Sequence, residues 1–250
     1  MKKRFGFTLA EVLITLGIIG VVAAMTIPTL IQNTSSTKFS AQFKITLATL
    51  NNAAEMAQAH YDASFSTITQ TCTNPATDTM ELGAATNRNS ICGLVNATMT
   101  NVRSLGTVAQ AYPNAQTRPG AAGLAALSGA AGGTGTDGNV RMYALADGAF
   151  IAVPNAMTNA NQAQTCRRVA GADPATLPAA NCHGFIDVNG AAGPNQATRC
   201  NGNTVVANAS NGGCANLQPS DIRDIFPIVF YDGVVSPSST AAREVLARGK

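Results

Sequence analysis

The sequence predicts an α+β protein: one long N-terminal helix, apolar in its first half and amphipathic in its second, with an antiparallel β-sheet behind it and long disulfide-stapled loops. Three observations predict this. A nearly uncharged apolar run opens the chain, a stripe of apolar residues at helical spacing follows it, and short strand-like segments ending in Asp-Gly or Asn-Gly turns occupy the second half.

Residues 1–31 read MKKRFGFTLAEVLITLGIIGVVAAMTIPTLI, a basic start followed by 21 residues from Phe7 to Ile27 that carry one charge, Glu11. As a helix these span about 32 Å, close to the hydrocarbon thickness of a bilayer. Lys2, Lys3 and Arg4 precede the run. Positive flanks stay cytoplasmic, so the rest of the chain is expected on the far side. A removable signal peptide is the rival reading, because Val22-Ala23-Ala24 offers small residues for a cut before Met25. Glu11 opposes it, since a carboxylate in an apolar span costs free energy and marks a function that a discarded segment does not need.

From Lys38 onward Phe39, Phe43, Leu47, Leu50, Ala54, Ala57 and Tyr61 recur at steps of four and three, which is one face of a helix. Residues 64–139 are rich in Thr, Asn, Ala and Gly and read as loops, with one helix over 90–105. Val140–Ala146 and Ala149–Val153 read as two strands around the Asp147-Gly148 turn, and Phe185–Val188, ending in Asn189-Gly190, as a third. Ile225–Val235, turning at Asp232-Gly233, supplies a fourth and a fifth strand, and Ser238 onward a C-terminal helix with a Ser or Thr cap.

The six cysteines, Cys72, Cys92, Cys166, Cys182, Cys200 and Cys214, include no CxxC pair. Zinc ribbons and redox sites need such pairs, so three disulfides in an oxidising compartment are expected, with nearest neighbours joined: Cys72 to Cys92, Cys166 to Cys182 and Cys200 to Cys214. Charged residues make up 12% of the chain; without Lys2, Lys3 and Arg4, the thirteen remaining cations balance thirteen anions. A balanced surface argues against a nucleic-acid partner. His60 and His183 are the only neutral-pH bases, and GxSxG, HExxH and phosphate-binding glycine motifs are absent, so no enzyme is expected.

Gly6-Phe7-Thr8-Leu9-Ala10-Glu11, followed by Val12-Leu13-Ile14 and the apolar run, resembles the prepilin cleavage and methylation motif shared by type IV pilins and the pseudopilins of type II secretion. The resemblance covers residues 4–31, with Phe5 standing where many members have Lys or Arg. It implies a pilin-like fold, a prepilin peptidase that cuts between Gly6 and Phe7, and N-methylation of Phe7. It also implies a role for Glu11 in assembly, pairing with the new amine of a neighbouring subunit, and a helix kink at Pro28. The boundaries that follow are a cytoplasmic leader 1–6, a transmembrane and filament-core helix 7–31, its amphipathic continuation 32–62, and a periplasmic or extracellular domain 63–250. The implied partners are other pilin-like subunits, the prepilin peptidase, an inner-membrane assembly platform and, before assembly, membrane lipid.

The stretch from Phe185 through Asp187, Asn189-Gly190 and Pro194-Asn195 to Asp221, Asp224 and Ile225-Phe226-Pro227 resembles the late sheet region of pseudopilins, interrupted here by extra residues that include Cys200 and Cys214. Some pseudopilins bind calcium in this loop, which makes Asp187, Asn189, Asp221 and Asp224 a candidate calcium set. The alternative is that these residues stabilise turns without a metal and that the protein holds no cofactor. Three functions are open: a filament subunit, a minor tip pilin that binds a surface, substrate or DNA, and a secreted enzyme cut after Ala24. The last fits the motif least.

Overall fold

The computed structural model describes residues 8–68, 70–80, 89–114, 118–119, 140–155, 182–200, 214 and 217–248. Helix α1 runs from Leu9 to Tyr61 without a break, through Gly17, Gly20 and Pro28. Its 53 residues make a rod of about 80 Å. It ends where Asp62 turns into the left-handed region (φ 50°) and donates its backbone N–H to the carbonyls of Ala57 and Gln58.

The two halves of α1 differ sharply in burial. From Leu9 to Ile31 the large apolar side chains are 44–78% exposed, and an 18-residue window is apolar and long enough to cross a membrane. From Ser36 onward one face is covered. Phe43, Leu47, Leu50, Ala54 and Ala57 are buried and Phe39 and Tyr61 half-buried, which is the stripe the sequence predicts. Full burial of Phe43, Leu47 and Leu50 contributes about 1.5–3 kcal/mol each.

The stripe packs on a six-stranded sheet of β1 (Arg103–Gly106), β2 (Val140–Ala144), β3 (Phe150–Pro154), β4 (His183–Asp187), β5 (Ile225–Tyr231) and β6 (Val234–Pro237). Every neighbouring pair is antiparallel and the order follows the chain. Side chains alternate between two cores. Tyr143, Ile151, Ile186 and Phe226 face α1, where Phe43 stacks on Phe226 with ring centres 4.2 Å apart. Met142, Ala152 and Phe185 face the other way, toward Tyr112. Gly184 is needed where β4 crosses β3: a Cβ there would lie 2.0 Å from the carbonyl oxygen of Ala152.

Helix α2 (Ile91–Thr98) lies against α1 and is capped by Ser90, whose hydroxyl accepts from the N–H of Gly93 at 3.1 Å. The helix expected over 90–105 is therefore only half realised. After Asn101 enters the left-handed region (φ 58°) the chain turns into β1, whose backbone pairs with β2. The expected loop over 64–139 also contains α3 (Val108–Ala111), one turn closed by a reciprocal cap between Thr107 and Gln110. The C-terminal helix α4 (Thr240–Ala247), capped by Ser239, packs beside α1 and β6.

Cys72–Cys92 and Cys200–Cys214 are disulfides, with Cα separations of 5.6 and 5.1 Å. Cys182 is also disulfide-bonded; the expected partner, Cys166, lies outside the described residues. Asn51 of α1 ties the helix to β6 through both amide atoms, donating to the Val235 carbonyl at 3.0 Å and accepting from the Val235 N–H at 2.9 Å.

Candidate functional site

At the start of α1, Thr8 holds the N-cap position with extended backbone (φ −76°, ψ 149°) and Glu11 the third helical position. The two close a reciprocal box. The Thr8 backbone N–H and Oγ both donate to Glu11 Oε2 at 2.8 Å, and the Glu11 N–H donates to Thr8 Oγ at 3.3 Å. Glu11 is the only ionisable side chain from Leu9 to Ile31, and it sits in the first turn, where the helix dipole favours a negative charge. Both side-chain contacts fall on one carboxylate oxygen. Among the described residues no donor reaches Oε1, so the carboxylate can accept a further cation without leaving its cap. Gly6 and Phe7 lie outside the described residues.

The late turn region brings together part of the candidate calcium set. Asp187, at the end of β4, is buried; it accepts from the Tyr112 hydroxyl at 2.6 Å and from the Asn189 N–H at 3.2 Å. Asp224, just before β5, is also buried and accepts from the N–H groups of Asn195 and Gln196 at 2.6 and 2.8 Å. Burial pushes the Asp187 carboxyl up to about 8, with the Tyr112 hydrogen bond opposing the shift and the nearby Asp224 adding to it. Burial raises Asp224 as well, against its backbone donors. Asp221 does something separate: its carboxylate accepts from the Gln218 N–H at 3.0 Å and caps the 3₁₀ turn Pro219–Asp221. Asn189 donates its side-chain amide to the Gly193 carbonyl at 3.2 Å.

Each carboxylate oxygen of Asp187 and Asp224 thus accepts one of these N–H or O–H donors. Among the described residues, the one place where three His, Cys, Asp or Glu ligand atoms come within 4.8 Å of one another is Cys72, Asp78 and Cys92, and there both sulfurs are already in a disulfide. Asp187, Asp221 and Asp224 accept hydrogen bonds at turns and caps, whereas Asn189 donates from its backbone and side chain and keeps a buried Oδ1 with no hydrogen-bond partner among the described residues. The two histidines lie apart in the fold: His60 is exposed at the end of α1, and His183 is buried on β4, where burial pushes its pKa down to about 4.

Residues 1–27 match the family model described as the prokaryotic N-terminal methylation motif. The chain carries the type IV pilin and pseudopilin signature. No curated protein and no solved structure matches it. The pilin-like chain thus combines a methylation motif, an apolar N-terminal helix and a helix-on-sheet body. That motif implies assembly with other pilin-like subunits, processing by a prepilin peptidase, and an inner-membrane-anchored and then filamentous location.

Two features of the pilin-like chain went unread in the sequence. Thr8 was legible, because Thr-x-x-Glu ahead of an apolar run is the pattern of a capping box. Tyr112 was not. It lies 75 residues before the carboxylate it binds, in a segment with no strand or helix periodicity.

Proposed function

We propose that this chain is a structural subunit of a type IV pilus or of a type II secretion pseudopilus, cut after Gly6, methylated at Phe7 and assembled through α1. The supporting observation is a half-helix whose apolar side chains face outward all round, broken only by one carboxylate in its first turn. An exposed surface of this kind is stable only in lipid or against other apolar helices. A bilayer supplies the first environment and a bundle of copies the second.

Cleavage before Phe7 leaves an amine four residues, about one helical turn, from Glu11. In a filament core that amine and the Glu11 carboxylate of a neighbour offset two charges that the apolar surroundings would otherwise penalise. Thr8 survives the cut and keeps Glu11 capped. Lys2, Lys3 and Arg4 orient the precursor with its sheet domain in the periplasm, where an inner-membrane platform extracts it and the disulfides persist. The role is assembly, not catalysis.

The test is the N-terminal mass of the protein recovered from membranes of a host with a prepilin peptidase. A chain beginning at methylated Phe7 supports the proposal, and one beginning at Met25 overturns it. Glu11→Ala is expected to insert and be cleaved but to enter sheared filaments poorly; normal incorporation would refute the charge-pairing role.

A further inference from the structure

Just beyond the apolar half of α1 a groove of about 260 Å³ opens between the helix and the domain. Ile31, Gln32, Ser35 and Phe39 form the helix wall; Gly193-Pro194 and the turn Pro219 to Arg223 form the other. Its position along the rod is informative. Leu9 to Ile31 is 23 residues, or about 34 Å of helix, so a bilayer that covers it ends near Ile31. The mouth of the groove then lies at the level of the lipid phosphates on the domain side.

Arg223 is the only ionisable residue in the lining. Its Nε is buried with no hydrogen-bond partner, and among the described residues no carboxylate forms an ion pair with it. The acids beside it in sequence are engaged elsewhere: Asp224 accepts from Asn195 and Gln196, and Asp221 from Gln218. A guanidinium with a buried, unpartnered Nε, set among Ile31, Phe39 and Ile222 as well as the polar Gln32 and Ser35, is complementary to a phosphodiester with acyl chains, which its remaining nitrogens can bind.

We propose that, in the membrane-inserted precursor, this groove binds the headgroup phosphate of one phospholipid from the domain-side leaflet through Arg223. The inference rests on the reading of α1 as a membrane anchor. The bound lipid fixes the sheet domain on the membrane surface and leaves the groove when the subunit is extracted.

The experiment uses the full chain reconstituted in phosphatidylglycerol vesicles, released in mild detergent and weighed intact. Wild type is expected to retain one phospholipid. Arg223→Gln should lower that occupancy at least about tenfold, the loss of a charge-assisted contact. Gly193→Leu fills the groove from the opposite wall, where a Cβ meets nothing within 4 Å, and should do the same while leaving Arg223 in place. Lys38→Gln, an exposed helix cation outside the lining, should retain the lipid. Equal retention in Arg223→Gln and wild type, equal losses in Lys38→Gln and Arg223→Gln, or a second copy of the chain in place of lipid would overturn the proposal. If the wild type fails to sediment with vesicles at all, the anchor reading itself fails; sedimentation without retained lipid overturns the groove alone.

Discussion

Phe43→Ala tests how the rod is fastened to the sheet. The Phe43 side chain is fully buried, and its ring stacks on Phe226 of β5 at 4.2 Å with 12° between the planes. Truncation removes the ring from between helix and strand and leaves a cavity whose far wall, Phe226, is also fully buried. Phe→Ala at such a site costs about 3–5 kcal/mol, of which the stacking geometry accounts for about 0.5–1.5 kcal/mol. Against a stability of about 5–15 kcal/mol for an ordinary domain, that is a large fraction. Urea unfolding of the detergent-solubilised chain reads it through tyrosine fluorescence, because Trp is absent and Tyr112 and Tyr143 are fully buried. With a urea slope of about 2 kcal/mol/M, the midpoint falls by about 1.5–2.5 M. Ile45→Ala is the control: it lies two residues away on the same helix but is 62% exposed, and it should change stability by less than about 0.5 kcal/mol. A Phe43→Ala midpoint equal to that of Ile45→Ala would refute the helix-on-sheet core.

Replacing Cys72 and Cys92 together by Ser opens a loop closed over a separation of 20 residues and should cost about 3 kcal/mol in the same assay, or nothing if the pair does not constrain the unfolded chain. His183 gives a pH dependence with a definite sign. Its folded pKa is depressed to about 4 from 6.5, so between those values the unfolded chain takes up a proton that the folded chain refuses. Stability is present above pH 6.5 and is lost as pH falls to about 4, by about 3 kcal/mol in all. His183→Gln should flatten that part of the profile; an unchanged profile would show that His183 is accessible to protons in the fold.

The helical stripe was legible because its period of three and four survives any choice of partner: the same residues face inward whether the neighbour is a sheet or another helix. The hairpins at Asp147-Gly148 and Asp232-Gly233 were legible for a local reason too, since Gly148 and Asp232 adopt positive φ (87° and 49°) that few residues accept. Elements held by distant backbone were not legible. β1 is four residues of Arg-Ser-Leu-Gly with no alternation, and it is a strand only because β2 offers its edge. The candidate calcium residues show the same divide. Their turn-forming character could be read in place, but the donors that occupy Asp187 and Asp224 come from up to 75 and 29 residues away.

Asn51 has a consequence for solubility. A sheet whose strands follow one another in order has two outer strands, and each presents backbone groups that could pair with another molecule. On β6 the N–H and carbonyl of Val235 are both satisfied by one side chain of α1, which imitates a missing strand at that position. Many copies of this chain crowded on one membrane would otherwise be at risk of joining edge to edge in an uncontrolled ladder. At that position of β6 an incoming strand finds no free backbone group, so the helix side chain removes one point of uncontrolled edge pairing.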